Sequence, residues 1–504
     1  MIVFILSTIC VILLLLYLFL VWSFDYWKKR GVSGPKPWPF VGNYPSLATQ
    51  KRNMACDIQD IYESYKHSEN FVGIFNGGTP QLLLTDIDII KRVLITDFKN
   101  FHDNDISKYV DVSSDKIFGS NPFILTGEEW KERRAEVTPG LTTNRIKTVY
   151  PVTNRVCKTM VDYIEKQAKM GGKDGVDGKD LCLRFTCEVV TDCVLGLNAE
   201  TFTDKPSIIL AMTNKLFQQS YIIIIYMVLA GIFPSIHKIK KLRFVPKNVE
   251  TFFFELLQTA LSMRRAQKKQ GLNEERVDFV NYMLHLQEKK NLQIPELTAH
   301  TMTFLLDGFE TTSMVLSHCL LLLGRDSSRQ EMLRTEIVEK LGNSNDFDAL
   351  GELPYLDACV HESLRIFSPA GFLTKMCTVS TNLENKNGKI LNVAVGTPII
   401  IPVQAIMMDE RYYKNPNSFE PERFLNGGLK NYKDRGVFLG FGDGPRICLG
   451  MRFALTQIKA ALAEIIRHYK VRINPRTRSD NKYDPTYFML RLDGGVWLEF
   501  DKLN

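Results

Sequence analysis

Met1 to Trp22 is an unbroken apolar run without a charged side chain, and from there on polar positions interleave with apolar ones. As a helix the run would extend about 33 Å, against a bilayer hydrocarbon core of about 30 Å. It lacks the basic start, short apolar centre and small-residue cleavage site of a secretory signal, so residues 1–24 read as a retained transmembrane anchor. Lys28, Lys29 and Arg30 follow at once, and the positive-inside rule puts the body of the chain in the cytosol. Gly34, Pro35, Lys36, Pro37, Trp38, Pro39 and Gly42 then predict a stiff non-helical linker within residues 25–45, because each Pro lacks an N–H and restrains the residue before it.

Further on, the apolar spacing switches between a period of two and a period of 3.6. Phe71 to Phe75 and Gln81 to Thr85, around Asn76, Gly77, Gly78 and Thr79, predict a hairpin. Ile399 to Pro402 predicts a strand, and Phe488 to Leu492 with Val496 to Phe500, joined by Asp493, Gly494 and Gly495, a second hairpin. Thr126 and Glu129 form a capping box that opens a helix with Trp130 and Arg134 on one face. Lys131 and Arg133 point elsewhere on that helix, either as a solvated face or as part of a basic docking face. Gly171 to Asp180 is rich in Gly and Asp and reads as a surface loop. Tyr221 to Phe233 is a second apolar run, at 13 residues too short to span a bilayer, and Lys238, Lys240, Lys241 and Arg243 trail it. Pro295 to Gly324 is apolar almost all round, as expected of a long helix through a core. Pro354 to Phe367 reads as a helix stopped before Pro369. Leu455, Ile458, Leu462, Ile465 and Tyr469, spaced 3, 4, 3, 4, give a last amphipathic helix. The fold class is predominantly α with minor β.

Composition narrows this little. The chain has 504 residues, 45% hydrophobic and 24% charged, which is ordinary globular stock. A net charge of +7, dispersed along the chain, gives no reason to expect nucleic acid. Ten cysteines without regular spacing do not form a disulfide framework and suit a reducing compartment. No Asn-x-Ser/Thr sequon occurs, which agrees with a body kept from the glycosylating lumen.

One cysteine stands apart. In Phe441-Gly-Asp-Gly-Pro-Arg-Ile-Cys448-Leu-Gly450, the glycines and proline make a tight turn ahead of the last helix. Cys448 therefore sits at a helix start, where free N–H groups can donate to sulfur and Gly450 has no side chain to hold the backbone away. This environment favours a thiolate, and a bound metal would fix it. No second Cys or His lies within a few positions to complete a zinc or iron–sulfur site. A single thiolate leaves haem as the sensible host, since the porphyrin supplies four ligands of its own.

Phe441, Gly444, Arg446, Cys448 and Gly450 match the haem-ligand signature of the cytochrome P-450 superfamily, which the chain resembles throughout its length. Chance alone would place five such residues in on the order of one chain in ten thousand. The resemblance implies one large helical domain, residues 46–504, around a haem b whose iron takes Cys448 as axial ligand. It further implies that Trp130 and Arg134, in a W-x-x-x-R motif, and Arg446 hold the haem propionates, with Lys375 standing where many relatives have Arg. Gly308, Glu310, Thr311 and Thr312 match the oxygen-binding motif, in which acid and alcohol deliver protons during dioxygen activation. Glu362 and Arg365, with Arg423 of Pro421-Glu-Arg-Phe424, match a structural triad. Asp307 stands where most members have Ala or Gly and, three and four residues before Glu310 and Thr311, shares their face. In the branch of fatty-acid omega-hydroxylases a Glu at this place is esterified to haem; Asp is one methylene shorter, which favours a hydrogen bond to water or substrate. By the same resemblance Phe123, Phe217, Phe304, Asp307, Phe372, Leu373 and Phe488 line a cavity for a lipophilic substrate, and Tyr221 to Phe233 dips into the bilayer near its entrance.

The activity so implied is a microsomal monooxygenase of the endoplasmic reticulum membrane, fed by NADPH through a flavoprotein reductase and using O2. The wording around Cys448 and Pro421 resembles insect detoxification-type members, whose substrates are xenobiotics, plant toxins or insecticides, with endogenous hormones and lipids as the other class. Two alternatives stay open: a haem-thiolate isomerase or dehydratase of peroxides, and a membrane-bound haem sensor or carrier. In both, Glu310 and Thr311 would be idle.

Overall fold

The computed structural model describes residues 1–169, 175–203, 205, 207–217, 221–233, 235–270 and 278–503. The elements that build the site are, in chain order, α1 (Ile2–Val21), α2 (Met54–Tyr65), the hairpin β1 (Phe71–Asn76) and β2 (Thr79–Leu84), α3 (Gly127–Val137), α4 (Thr143–Lys169), β3 (Val176–Asp177), α5 (Gly178–Leu195) and α6 (Tyr221–Ile232). They continue with α7 (Phe279–Lys290), α8 (Ile294–Arg325), α9 (Pro354–Ile366), β4 (Leu373–Met376), β5 (Thr381–Glu384), β6 (Ile390–Val393), β7 (Pro398–Ile401), α10 (Met451–His468), β8 (Tyr469–Ile473) and β9 (Trp497–Lys502).

The long helix α8 is the axis of the core and packs on α5, α9, α10 and β8. It begins as a strong helix should, with Pro at its first turn and a reciprocal cap between Gln293 and Glu296. A four-stranded sheet in the order β1-β2-β7-β4 flanks the helices, with β2 and β7 parallel and the other pairs antiparallel. The linker is docked on it: Gly73 N–H donates to Ser33 O at 2.8 Å, and a Cβ on Gly34 would meet Gly73 O at 2.0 Å, so only glycine fits there.

Three local expectations are corrected. Thr126 occupies the N-cap of α3 but its side chain makes no cap; the Gly127 N–H is instead taken at 2.9 Å by the Asp103 carboxylate, from a distant part of the chain. Phe488 to Leu492 does not pair with the following segment, because β9 lies between β3 and β8, pairing antiparallel with β8 over Tyr469–Ile473 on one edge and with the short β3 on the other. Of Gly171 to Asp180, residues 171–174 lie outside the described residues, Val176 and Asp177 form β3, and Asp177 caps α5 by accepting the N–H groups of Lys179 and Asp180.

Against the body, α1 keeps almost all of its apolar surface exposed. Its foot is attached: Phe19 stacks on Phe233 with ring centroids 5.4 Å apart, and the Ser23 hydroxyl donates to Gly78 O at 2.6 Å. Gly78 N–H in turn donates to Gly231 O in α6 at 2.8 Å. One face of α6 packs Tyr226 and Ala230 against Tyr109, and the other exposes Ile222, Ile225 and Leu229, continued by Phe233 just beyond its end.

Candidate active site

The turn before α10 is made by Gly442 and Gly444, with φ of +71° and +70°. A Cβ on Gly444 would also meet Leu94 O at 1.9 Å. Gly450 has ordinary backbone, and a Cβ there would meet nothing within 4 Å, so it is the turn glycines that the loop requires. Cys448 N–H donates to Phe441 O at 2.8 Å, closing the loop and fixing where the thiol points. As expected, the N–H groups of Gly450 and Met451 are directed at the sulfur and lower its pKa. They do not win: burial pushes the thiol up to about 11, with the Asp307 carboxylate adding to the rise. The expectation that the loop alone favours a thiolate is therefore corrected, and ionisation at neutral pH requires a metal on the sulfur.

Cys448 is nonetheless accessible, and so is Asp307 on α8. Groups that are reachable by solvent and yet strongly desolvated line an interior cavity. At one side of it three cations converge. Arg134, from α3, donates to Ile447 O at 2.6 Å. Arg446 lies with its guanidinium carbon 4.2 Å from the Trp130 ring centre and donates to the carbonyls of His102, Pro122 and Leu125. Lys375, on β4, is buried and donates to the Asn104 side chain at 3.0 Å. Burial depresses all three, Lys375 to about 7 and Arg446 to about 10; repulsion from neighbouring cations adds to this at Lys375 and Arg446, where Asp103, 3.5 Å from Arg446, opposes it, and at Arg134 the Cys448 sulfur opposes it. Three largely desolvated cations with one carboxylate among them form a seat for a dianionic group. A thiol facing a cavity with such a seat at its rim fits a haem, which Cys448 would hold by its iron and Arg134, Lys375 and Arg446 by its propionates. The polar run His102, Asp103, Asn104 was not singled out in the sequence; spacing gives no sign that it would be brought to Arg446 and Lys375.

Across the cavity, α8 divides its polar residues between two faces. Thr311 donates to Asp307 O one turn back at 3.0 Å, the back-bond expected of it, and α8 remains continuous there. Asp307 receives the Asn121 amide at 3.2 Å on each carboxylate oxygen, and burial raises it to about 6. The expectation that Glu310 shares that face is corrected: it lies about 100° round the helix from Thr311 and its side chain turns away into the protein. It is buried, ion-paired with Lys179 at 2.9 Å, and accepts the Tyr487 hydroxyl at 3.1 Å. Lys179 also lines a cavity of about 260 Å³ with Asp177, Ser317, His318, Asp484 and Arg491.

Glu362, Arg365 and Arg423 assemble as expected: Arg365 Nε and Nη2 reach the Glu362 carboxylate at 2.7 and 2.8 Å, and Arg423 Nε reaches it at 3.1 Å, with Glu362 and Arg365 fully buried. Of the cavity residues, Leu373 lies 3.8 Å from the Cβ position of Gly442, and Phe372 and Phe488 meet edge to face at 6.1 Å. Phe123 is exposed, beside Asn121. Phe304 is corrected: it is buried against Phe279 of α7 with centroids 4.1 Å apart and belongs to the core. The side chain of Phe217 lies outside the described residues. Arg133 is corrected as well, since it turns inward to His300 at 2.7 Å, whereas Lys131 is exposed beside Glu128.

Residues 32–497 match the family model described as cytochrome P450. The chain belongs to the cytochrome P450 family. Among curated relatives, probable cytochrome P450 28d1 of Drosophila melanogaster is 51% identical over 502 residues, with 99% of each chain covered. Probable cytochrome P450 28a5 of the same organism is 51% identical over 500 residues with the same coverage, and cytochrome P450 6j1 of Blattella germanica is 32% identical over 494 residues, 97% of this chain and 96% of its own. This P450 is thus a haem-thiolate monooxygenase that uses O2 and electrons supplied by a reductase. When bound, the haem supplies the thiolate-ligated iron at which dioxygen is reduced.

Proposed function

We propose that this P450 oxidises lipophilic small molecules at the membrane of the endoplasmic reticulum, with electrons drawn from NADPH. The observation that carries the site reading is the confrontation of Cys448 with the Asp307–Thr311 face of α8 across a cavity rimmed by Arg134, Lys375 and Arg446. In this reading Cys448 is the axial ligand, the three cations orient the cofactor, and Thr311 holds a proton where O2 is reduced. Glu310 acts from behind α8 as the acid that resupplies it, drawing on Lys179 and Tyr487. General-acid assistance of this kind is typically worth about 10²–10⁴-fold in rate. Glu362, Arg365 and Arg423 stay structural. Phe123, Phe372, Leu373 and Phe488 give the substrate an apolar wall, which suits xenobiotics such as plant toxins or insecticides, or endogenous hormones and lipids.

The membrane assignment is supported by α1, which is long and apolar enough to cross a bilayer and would be costly to expose to water, and by the uncovered apolar row on α6 beside it. Lys28, Lys29 and Arg30 favour a cytosolic body and a flavoprotein partner on that side.

The reduced-minus-reduced-CO difference spectrum of membranes carrying the full chain tests the centre. A strongly red-shifted Soret band in the parent and none in Cys448→Ser is the expected result; a band unchanged in Cys448→Ser overturns it. Product formation that needs both NADPH and reductase tests the reaction, and turnover of a peroxide without either would transfer the assignment to an isomerase.

A further inference from the structure

Among the described residues, Asp307 is a carboxylate without a cation. Its oxygens accept the Asn121 amide at 3.2 Å each, and the influences on its ionisation are burial and Asn121 alone, with no Lys, Arg or His among them. Asn121 cannot turn away, because it is buried and its own amide oxygen accepts the Phe123 N–H at 2.7 Å, which directs the amide nitrogen toward α8. A carboxylate offers about four lone-pair sites, so roughly half of its capacity remains open. That open half belongs to an accessible side chain in the cavity, next to Phe123 and one helical turn from Thr311. The other desolvated acids of the site, Asp103, Glu310 and Glu362, each have a Lys or Arg against them.

A desolvated charge with spare acceptor capacity in an apolar cavity is a recognition point for the opposite charge. We propose that Asp307, braced by Asn121, binds the protonated nitrogen of a lipophilic amine and so selects cationic substrates. The proposal rests on the reading that this cavity receives the substrate. The apolar body of such a ligand packs on the aromatic side chains nearby, while its nitrogen lies at α8, which sets the carbons next to it close to Thr311. A covalent bond between Asp307 and haem would remove the negative charge, so the same experiment separates the two roles.

The test uses full-length, haem-loaded protein in discs of neutral phosphatidylcholine. Binding is read from the Soret shift on titration with 4-phenylbutyl-trimethylammonium, which carries the charge and cannot ligate iron, and with its neutral isostere, in which carbon replaces nitrogen. The parent should bind the cation about tenfold or more tightly than the isostere, and Asp307→Asn should bring the two within about threefold of each other. The Asp307→Asn protein must keep the red-shifted CO band, and Asn121→Ala, which leaves the carboxylate, must keep a preference for the cation. Equal binding of the two probes by the parent overturns the proposal, as does a preference that survives Asp307→Asn. Either of those results with the CO band intact leaves the monooxygenase reading standing, whereas loss of the band in the parent would remove that reading first.

Discussion

At the scale of single residues, the site sorts into groups that hold, groups that react and groups that only pack. Thr311→Ala should leave haem content unchanged while separating NADPH consumption from product, since the hydroxyl faces the cavity and, among the described residues, bonds only to its own helix; the ratio of product to NADPH measures this. Arg446→Gln removes one of the three cations proposed to hold the propionates and should speed haem transfer to an acceptor apoprotein by about tenfold or more, with Cys448 ligation still visible in the CO spectrum. Removing the carboxylate of Glu362 leaves two buried guanidinium groups facing each other, and Glu362→Gln should destabilise the fold by about 3–5 kcal/mol in urea denaturation. The ion-pair triad, and the meeting of Cys448 with Arg134 and Arg446, were legible in the sequence because each residue sits in a short motif of fixed spacing. Asn121, Lys179 and Tyr487 were not: they reach Asp307 and Glu310 from 186, 131 and 177 positions away, and no local pattern records such a meeting. Phe304 was misassigned for a related reason, since an aromatic on a buried helix looks the same whether it faces Phe279 or a substrate.

Secondary structure was readable where periodicity ran long. The helices around Thr311 and Glu362 fall within a residue of their expected limits, and the one after Cys448 begins three residues on, at Met451, because 13 to 32 residues of sustained pattern leave little ambiguity. Short elements were harder: β9 has an alternating pattern but no signal for which edge it joins, and a capping box at Thr126 gave way to Asp103, a tertiary partner. At this scale Asp177→Ala should cost about 1 kcal/mol in thermal or urea unfolding, the usual worth of an N-cap, by freeing two N–H groups at the start of α5. Deleting residues 2–24 should weaken but not abolish flotation with vesicles, because the apolar row on α6 remains; adding Ile225→Asp and Leu229→Asp should release the protein to the aqueous fraction.

For the molecule as a whole, two buried histidines set a limit on the acid side. His300 and His318 are held near 4, against 6.5 when exposed, by burial in both cases; Arg133 adds to the depression at His300 while Glu136 opposes it, and at His318 the Phe367 backbone opposes it while Lys179 adds to it. The unfolded chain therefore takes up protons first as pH falls. Their contribution is complete above about pH 6.5 and drains away toward pH 4, by about 3 kcal/mol for each histidine. Urea midpoints measured across that window should fall with acidity, and His318→Gln should flatten the slope.

The stitch from Phe19 to Phe233 and from Ser23 through Gly78 to Gly231 ties the foot of α1 to the catalytic body. In the membrane setting proposed above a ligand would arrive there from lipid, so the concentration that governs saturation would be moles of substrate per volume of bilayer. Adding empty vesicles at constant total substrate should then slow turnover as if the substrate had been diluted, and Michaelis constants expressed per litre of buffer should rise in proportion to the lipid in the tube.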